Sequence, residues 1–266
     1  MNQPVISTRG LKRSFGSNNV LTGVDLSLGT GIHGLLGRNG VGKSTLLSII
    51  AGQLRQSDGA VEVFGDTPFD NPATMDRTAL TGVDVAYPGS WKLADILTVA
   101  ALRYPQWDQE FADGLVADFA LNGQLRTGYD ALSRGQRAMV GIIVGLASQT
   151  ELLLLDEPYV GLDTHNTQVF YRHLLEESGS GRTIVMATHH IEDAARILNT
   201  AVILGRDGQI TAHLAAEDAD DFIVSKGADG NTRVARPDDT PQPRGVAART
   251  YPATFEDLIE YHLEVS

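Results

Sequence analysis

Residues 37–45 read Gly-Arg-Asn-Gly-Val-Gly-Lys-Ser-Thr, a full match to the phosphate-cradling pattern G-x-x-x-x-G-K-[ST]. Nothing else in the chain constrains its fold as strongly. A triphosphate needs backbone N–H donors that can approach closely, set between a strand and a helix. Gly37, Gly40 and Gly42 remove the side chains that would block this approach and permit positive φ. Lys43 offers an ammonium to the β- and γ-phosphates, and the Ser44 hydroxyl is a ligand for Mg²⁺. Arg38, Asn39, Val41 and Thr45 complete the loop. The preceding run Ile32-His33-Gly34-Leu35-Leu36 suits a buried strand, and residues 45–50 suit a helix whose N-terminus points at the anion.

A second signal lies at 152–157, four leucines followed by Asp156-Glu157. Two carboxylates closing a buried strand are expensive unless a cation or a reaction uses them. Beside a phosphate loop, Asp156 reaches Mg²⁺ and Glu157 polarises an attacking water as general base. The other reading is a solvated strand end. A third signal, Leu-Ser-Arg-Gly-Gln at 132–136, precedes an apolar helix over 138–147. Ser133 and the Gly135 N–H at a helix start make an anion site, although the same residues also make a plain N-cap.

The chain between these signals reads as α/β. Short alternations over 5–28 predict antiparallel strands, and 61–64 a further strand. Residues 66–150 read as a helical insertion, with helical spacing at 93–102 and 109–121. The continuous apolar runs 152–155 and 183–187 predict parallel strands covered on both faces. Helical segments are expected near 164–178 and 191–198, and a strand at 202–204 ending in a turn at Asp207-Gly208. We divide the chain into a nucleotide-binding domain, 1–214, and an acidic, Pro-containing extension, 215–266. The latter is loop-like over 225–250 and closes in a helix at 254–264, with Thr254 as N-cap and Asp257 three residues on.

Composition narrows function. Formal net charge is −12, which repels nucleic acid and anionic lipid. There is no cysteine, so disulfides and thiolate metal sites are excluded. No run reaches the roughly 18 apolar residues of a membrane span, and the N-terminus has no signal-peptide pattern. Any membrane role is therefore expected through a partner.

In order and spacing these motifs resemble the nucleotide-binding subunit of ATP-binding cassette (ABC) transporters. Gly161-Leu162-Asp163 resembles the family's D-loop and Thr188-His189 its switch histidine. The segment Thr254-Phe255-Glu256-Asp257-Leu258 resembles the closing helix of export-type, multidrug- or antibiotic-exporting subunits. The resemblance implies a P-loop NTPase (RecA-like) core with a parallel sheet, an N-terminal antiparallel β subdomain and an α-helical insertion. It implies ATP and Mg²⁺ as cofactors, with Ser44 and Asp156 on the metal, Glu157 activating water, and His189 bonding the γ-phosphate or holding that water. Phe15 resembles the aromatic that stacks on adenine; a core residue at a strand end is the other reading. The adjacent His190 lacks the further ligands a metal site needs. The family pairs two subunits head to tail, as a homo- or heterodimer, so that Ser133, Arg134, Gly135 and Gln136 of one face the γ-phosphate held by the other. Separate transmembrane permease subunits are the further partners. The expected location is the cytoplasmic face of the membrane, attached peripherally, and the expected work is export. An ATP-gated regulatory switch and a soluble ABC ATPase not engaged in transport are the alternatives.

Two departures stand out. Arg134 occupies a signature position that is normally glycine, and either contacts a phosphate or points to solvent or another subunit. The glutamine that the family carries at the start of the helical insertion is missing, since no glutamine lies between Gln56 and Gln106. Asp84 is the one metal-competent side chain in the corresponding segment, 83–88. The following Gly89-Ser90-Trp91-Lys92 is a candidate partner-contact loop, or else Trp91 packs within the insertion.

Overall fold

The phosphate loop joins β3 (Gly31–Leu36) to α1 (Lys43–Ile50) in the computed structural model, which describes residues 3–82, 85–192, 194–226, 232–236 and 249–264. β3 lies inside a six-stranded sheet. From one edge to the other this runs β5 (Thr78–Gly82), β6 (Leu152–Asp156), β7 (Thr183–Thr188), β3, β8 (Thr200–Leu204) and β9 (Ile210–Ala215). Every pairing is parallel except the last, β8 with β9.

The leucine run shows why β6 is a strand. Leu153 and Leu155 enter one core and Leu152 and Leu154 the other, so both faces are buried. β7 repeats the pattern, with Ile184 and Met186 on one side and Val185 and Ala187 on the other. Alternation of sides along a strand turns a continuous apolar run into two separate contacts.

One of these cores is closed by α1 and by a three-stranded antiparallel sheet of β2 (Asn18–Leu28), β1 (Ile6–Phe15) and β4 (Asp58–Val63), in that order. The other is closed by α3 (Leu93–Arg103), α4 (Gln109–Asp118), α5 (Arg134–Ala147) and α6 (Thr164–Glu177). The short α2 (Pro72–Met75) leads into β5. The expectation of a wholly helical insertion over 66–150 is corrected here, because β5 belongs to the main sheet and pairs in register with β6. Its Thr78, Ala79 and Thr81 are buried on account of that pairing, a long-range contact that local spacing does not announce.

α5 ends against Arg182, a buried side chain. Its guanidinium donates to the carbonyls of Gly145 (3.3 Å), Leu146 (3.2 Å) and Thr150 (2.8 Å) and pairs with Glu177 at 2.8 Å. Two of these carbonyls lie in the last helical turn, where the regular backbone donors run out and Leu146 accepts a 3.3 Å bond from the Gln149 N–H.

The C-terminal region also departs from expectation. In and around the stretch 225–250 read as loop, β10 (Ile223–Lys226) pairs antiparallel with β11 (Thr232–Ala235) on one side and β12 (Arg249–Pro252) on the other. α7 (Phe255–Glu264) follows, with the expected capping box: Asp257 N–H donates to Thr254 Oγ1 at 3.1 Å, and Thr254 N–H to Asp257 Oδ2 at 2.9 Å. The helix expected over 191–198 is only a 3-10 turn at Ala194–Arg196.

Candidate nucleotide site

α1 begins at Lys43, with Gly42 as a left-handed N-cap at φ 114°. No acidic residue sits in its first turn, so the helix itself places no negative charge against its positive dipole end. Glycine is required at two loop positions for reasons of space. A Cβ on Gly37 would lie 2.6 Å from the Leu204 carbonyl oxygen, and one on Gly42 would lie 2.9 Å from Val20 Cγ1. Asn39, Gly40, Gly42, Lys43, Ser44 and Thr45 line a cavity of about 260 Å³, together with Val20 and Glu157. Val20, on β2, carries no motif, and nothing in its local sequence marks it as part of a phosphate site.

Lys43 is only 6% exposed. Its ammonium donates to the Gly37 carbonyl at 2.8 Å and lies 3.4 Å from Glu157 Oε1. The sequence separates these residues widely; the parallel sheet brings them together, because β3 and β6 both flank β7 and end at the same level. Glu157 sits just beyond β6 with φ 47°, a left-handed conformation that costs a non-glycine residue roughly 1 kcal/mol or more. Its N–H bonds the Ala187 carbonyl at 3.0 Å, which holds the turn. The strained backbone directs the carboxylate into the cavity.

His189, immediately after β7, lies 2.9 Å from Glu157 Oε2 through Nδ1. A carboxylate only accepts, so the imidazole carries its proton on Nδ1 and turns Nε2 away from Glu157. His190 is held differently. Its N–H bonds Thr188 Oγ1 at 2.9 Å, and its ring meets Tyr159 edge-on at 5.5 Å. Among the described residues no group of three or more His, Cys, Asp or Glu side chains is arranged to hold a metal ion. The Ser44 hydroxyl and the Asp156 carboxylate at the tip of β6 are hard oxygen donors, a set that suits Mg²⁺ completed by phosphate oxygens and water.

The signature residues form a helix start. Ser133 caps α5 by accepting from Gln136 N–H at 3.2 Å, and Gln136 Oε1 accepts from Ser133 N–H at 2.9 Å. Gln136 is thus committed to its own helix. Gly135 packs against the loop at Gly161 of the same chain, where a Cβ would overlap the Gly161 carbonyl oxygen. Asp163 caps α6, accepting from Asn166 N–H at 2.8 Å. Arg134 is exposed in the first turn of α5, its stem against Gly161. None of these four signature residues lines the cavity at Lys43.

Phe15 is 47% exposed, with the Arg13 guanidinium 4.4 Å above its ring, which sets aside the core reading. Trp91 is half-buried and packs on the core of the helical region, so the packed reading holds for it. Tyr129 N–H donates to its carbonyl at 2.8 Å. Asp84 lies outside the described residues.

A family model described as "ABC transporter" matches residues 21–160. The aliphatic sulfonates import ATP-binding protein SsuB of Corynebacterium glutamicum is 32% identical over 224 residues, which cover 81% of this chain and 86% of that protein. The hemin import ATP-binding protein HmuV of Thermobifida fusca is 31% identical over 222 residues, 79% of this chain and 76% of that protein. Both are named import proteins, which tells against the export-type resemblance of the closing helix. A solved ATP-binding subunit of an ABC transporter superposes with a TM-score of 0.73 at 24% identity, covering 81% of this chain and 91% of that one. At that identity the likeness concerns the fold, which is the expected ABC ATPase architecture.

Proposed function

The chain belongs to the ABC transporter family and is a P-loop ATP hydrolase, and from that premise we propose that it is the motor subunit of a transporter whose membrane-spanning parts are separate polypeptides. The observation that carries this is the convergence of Lys43, Ser44 and Glu157 on one cavity at the start of α1.

In this reading the triphosphate lies along residues 37–45, its charge met by Lys43 and the first-turn N–H groups of α1. Phe15, exposed at the end of β1, stacks on the base and contributes roughly 1 kcal/mol. Ser44 and Asp156 hold Mg²⁺, which when bound neutralises charge on the phosphate oxygens. Glu157 Oε2 orients a water toward the γ-phosphorus and receives its proton as the new P–O bond forms and the bridge to ADP breaks. His189, bonded to Glu157 at 2.9 Å, keeps that carboxylate aimed. Oε1 of Glu157 lies 3.4 Å from the Lys43 ammonium, and a γ-phosphate at the loop competes for the same ammonium.

The Lys43 cavity has no wall from the signature, which supports completion by a second copy. Ser133, Arg134 and Gly135 of that copy then approach the γ-phosphate, and ATP joins two molecules that hydrolysis separates. Among the described residues no helix is long and apolar enough to cross a membrane, so attachment to the cytoplasmic face runs through the permease. Export was the direction expected from the closing helix; the two relatives lend it no support, and the proposal concerns the motor rather than its direction.

Glu157→Gln tests the site. It should leave ATP binding intact, slow hydrolysis by about 100-fold or more, and accumulate ATP-bound dimers on size exclusion. Hydrolysis at the wild-type rate would remove Glu157 from the role of general base.

A further inference from the structure

His189 lies in a segment whose far end is held by the C-terminal helix. The chain leaves β7 at Thr188, carries His189 and His190, and reaches the turn Ala194–Arg196. The Ile191 carbonyl accepts the Ala195 N–H at 2.8 Å, so the switch segment and the turn form one hydrogen-bonded piece. The Tyr159 hydroxyl steadies its near end, donating to the His190 carbonyl at 3.4 Å.

α7 packs on this turn, on β8 and on β9. Its buried Phe255, Leu258 and Ile259 join the same core as Ala194, Ile197 and Leu198. Val224 and Val234 of the three-stranded C-terminal sheet, and Ala253 just after β12, join it too. The contact has an electrostatic side: Glu256, in the first turn of α7, lies within the field of Glu192 and Arg196 on the switch segment. The region that reads in sequence as a trailing extension is therefore a buried support under the piece that carries His189.

We propose that the C-terminal module is a brace for the switch: α7 sets the position of His189 through the turn Ala194–Arg196, making Leu258 and Ile259 positioning residues for ATP hydrolysis. This rests on the reading of His189 as the group that aims Glu157. A reacting group displaced by about 1 Å forfeits around 100-fold in rate. The His189–Glu157 bond of 2.9 Å leaves little room for such a shift. A void under the turn, where Leu258 is fully buried, provides one.

Steady-state ATP hydrolysis by the full chain, with binding of a fluorescent ATP analogue, tests the brace. Leu258→Ala should lower kcat about tenfold while KM and analogue affinity stay within about twofold, since the Lys43 cavity is elsewhere. Leu258→Met, which keeps the volume, should retain wild-type kcat. In a His189→Ala background, Leu258→Ala should cause no further loss, because both act through one group. Ile259→Val replaces Leu258→Ala if the latter fails to fold. Equal losses of kcat in both backgrounds, or no loss in either, overturn the brace. If His189→Ala loses activity and Leu258→Ala does not, the brace alone fails. If His189→Ala is as active as wild type, the reading of His189 fails and the brace with it.

Discussion

Lys43 and Glu157 show what single residues contribute. Lys43 ties the loop to itself through the Gly37 carbonyl at 2.8 Å, and in the proposed reading the same ammonium meets phosphate. Glu157 is held in a left-handed backbone well, against its own preference, by the N–H bond to Ala187. Both residues were legible from their motifs; their proximity of 3.4 Å was not, since it depends on neighbouring parallel strands ending together. Lys43→Ala should abolish measurable ATP binding, because charge and loop geometry are lost together. Fluorescence titration with a nucleotide analogue checks this, and unchanged affinity would mean that the triphosphate is held elsewhere. Val20 marks the limit of legibility at this scale. It walls the cavity only because the antiparallel sheet folds over the loop.

Elements differ in how far their sequences announce them. β6 and β7 declare burial on both faces, and α5 and α7 each begin in a reciprocal cap that is visible as a spacing. β10, β11 and β12 do not: each has only four residues, and Pro and Gly lie between them. Their pairing is long-range, and short strands gain their stability from partners rather than from propensity. α7 carries a measurable consequence of its docking. Partial burial pushes the Glu256 carboxyl above its ordinary range, the nearby Glu260, Glu192 and Asp257 push the same way, and Arg196 opposes them. A carboxyl raised in the folded state favours the neutral form, so its ionisation penalty is absent in acid and sets in as pH rises through that range. Glu256→Gln should therefore raise Tm at pH near 7.5, with the gain shrinking toward zero near pH 4, as followed by thermal unfolding. A gain that is independent of pH would show that charge is not its source.

At the scale of the whole molecule the proposed nucleotide site draws on two separate regions. The phosphate loop and the two acids sit on the sheet, whereas Ser133 starts a helix that contributes nothing to the cavity at Lys43. Under the proposed head-to-tail arrangement, a variant damaged in one half can complement a variant damaged in the other. Lys43→Ala and Ser133→Arg should each be inactive alone; Ser133→Arg also forgoes an N-cap worth about 1 kcal/mol. Mixed in equal amounts they should regain hydrolysis, because one of the two sites in the mixed dimer then has an intact phosphate loop and an intact signature. Absence of recovery in a mixture that demonstrably dimerises would count against a site shared between copies.

The ATPase family of this protein is legible in local sequence. A phosphate loop needs particular residues at adjacent positions, and so do a strand closing in two acids and a capped helix start, so their meaning survives without a structure. What only the tertiary structure decided is which distant segments serve those motifs: β5 as a sheet strand, Val20 as a wall, Gly135 against Gly161, and α7 beneath the turn that follows His189. These relations are packing contacts between residues far apart along the chain. Burial is non-directional and leaves no fixed spacing behind, so they are written in the fold alone.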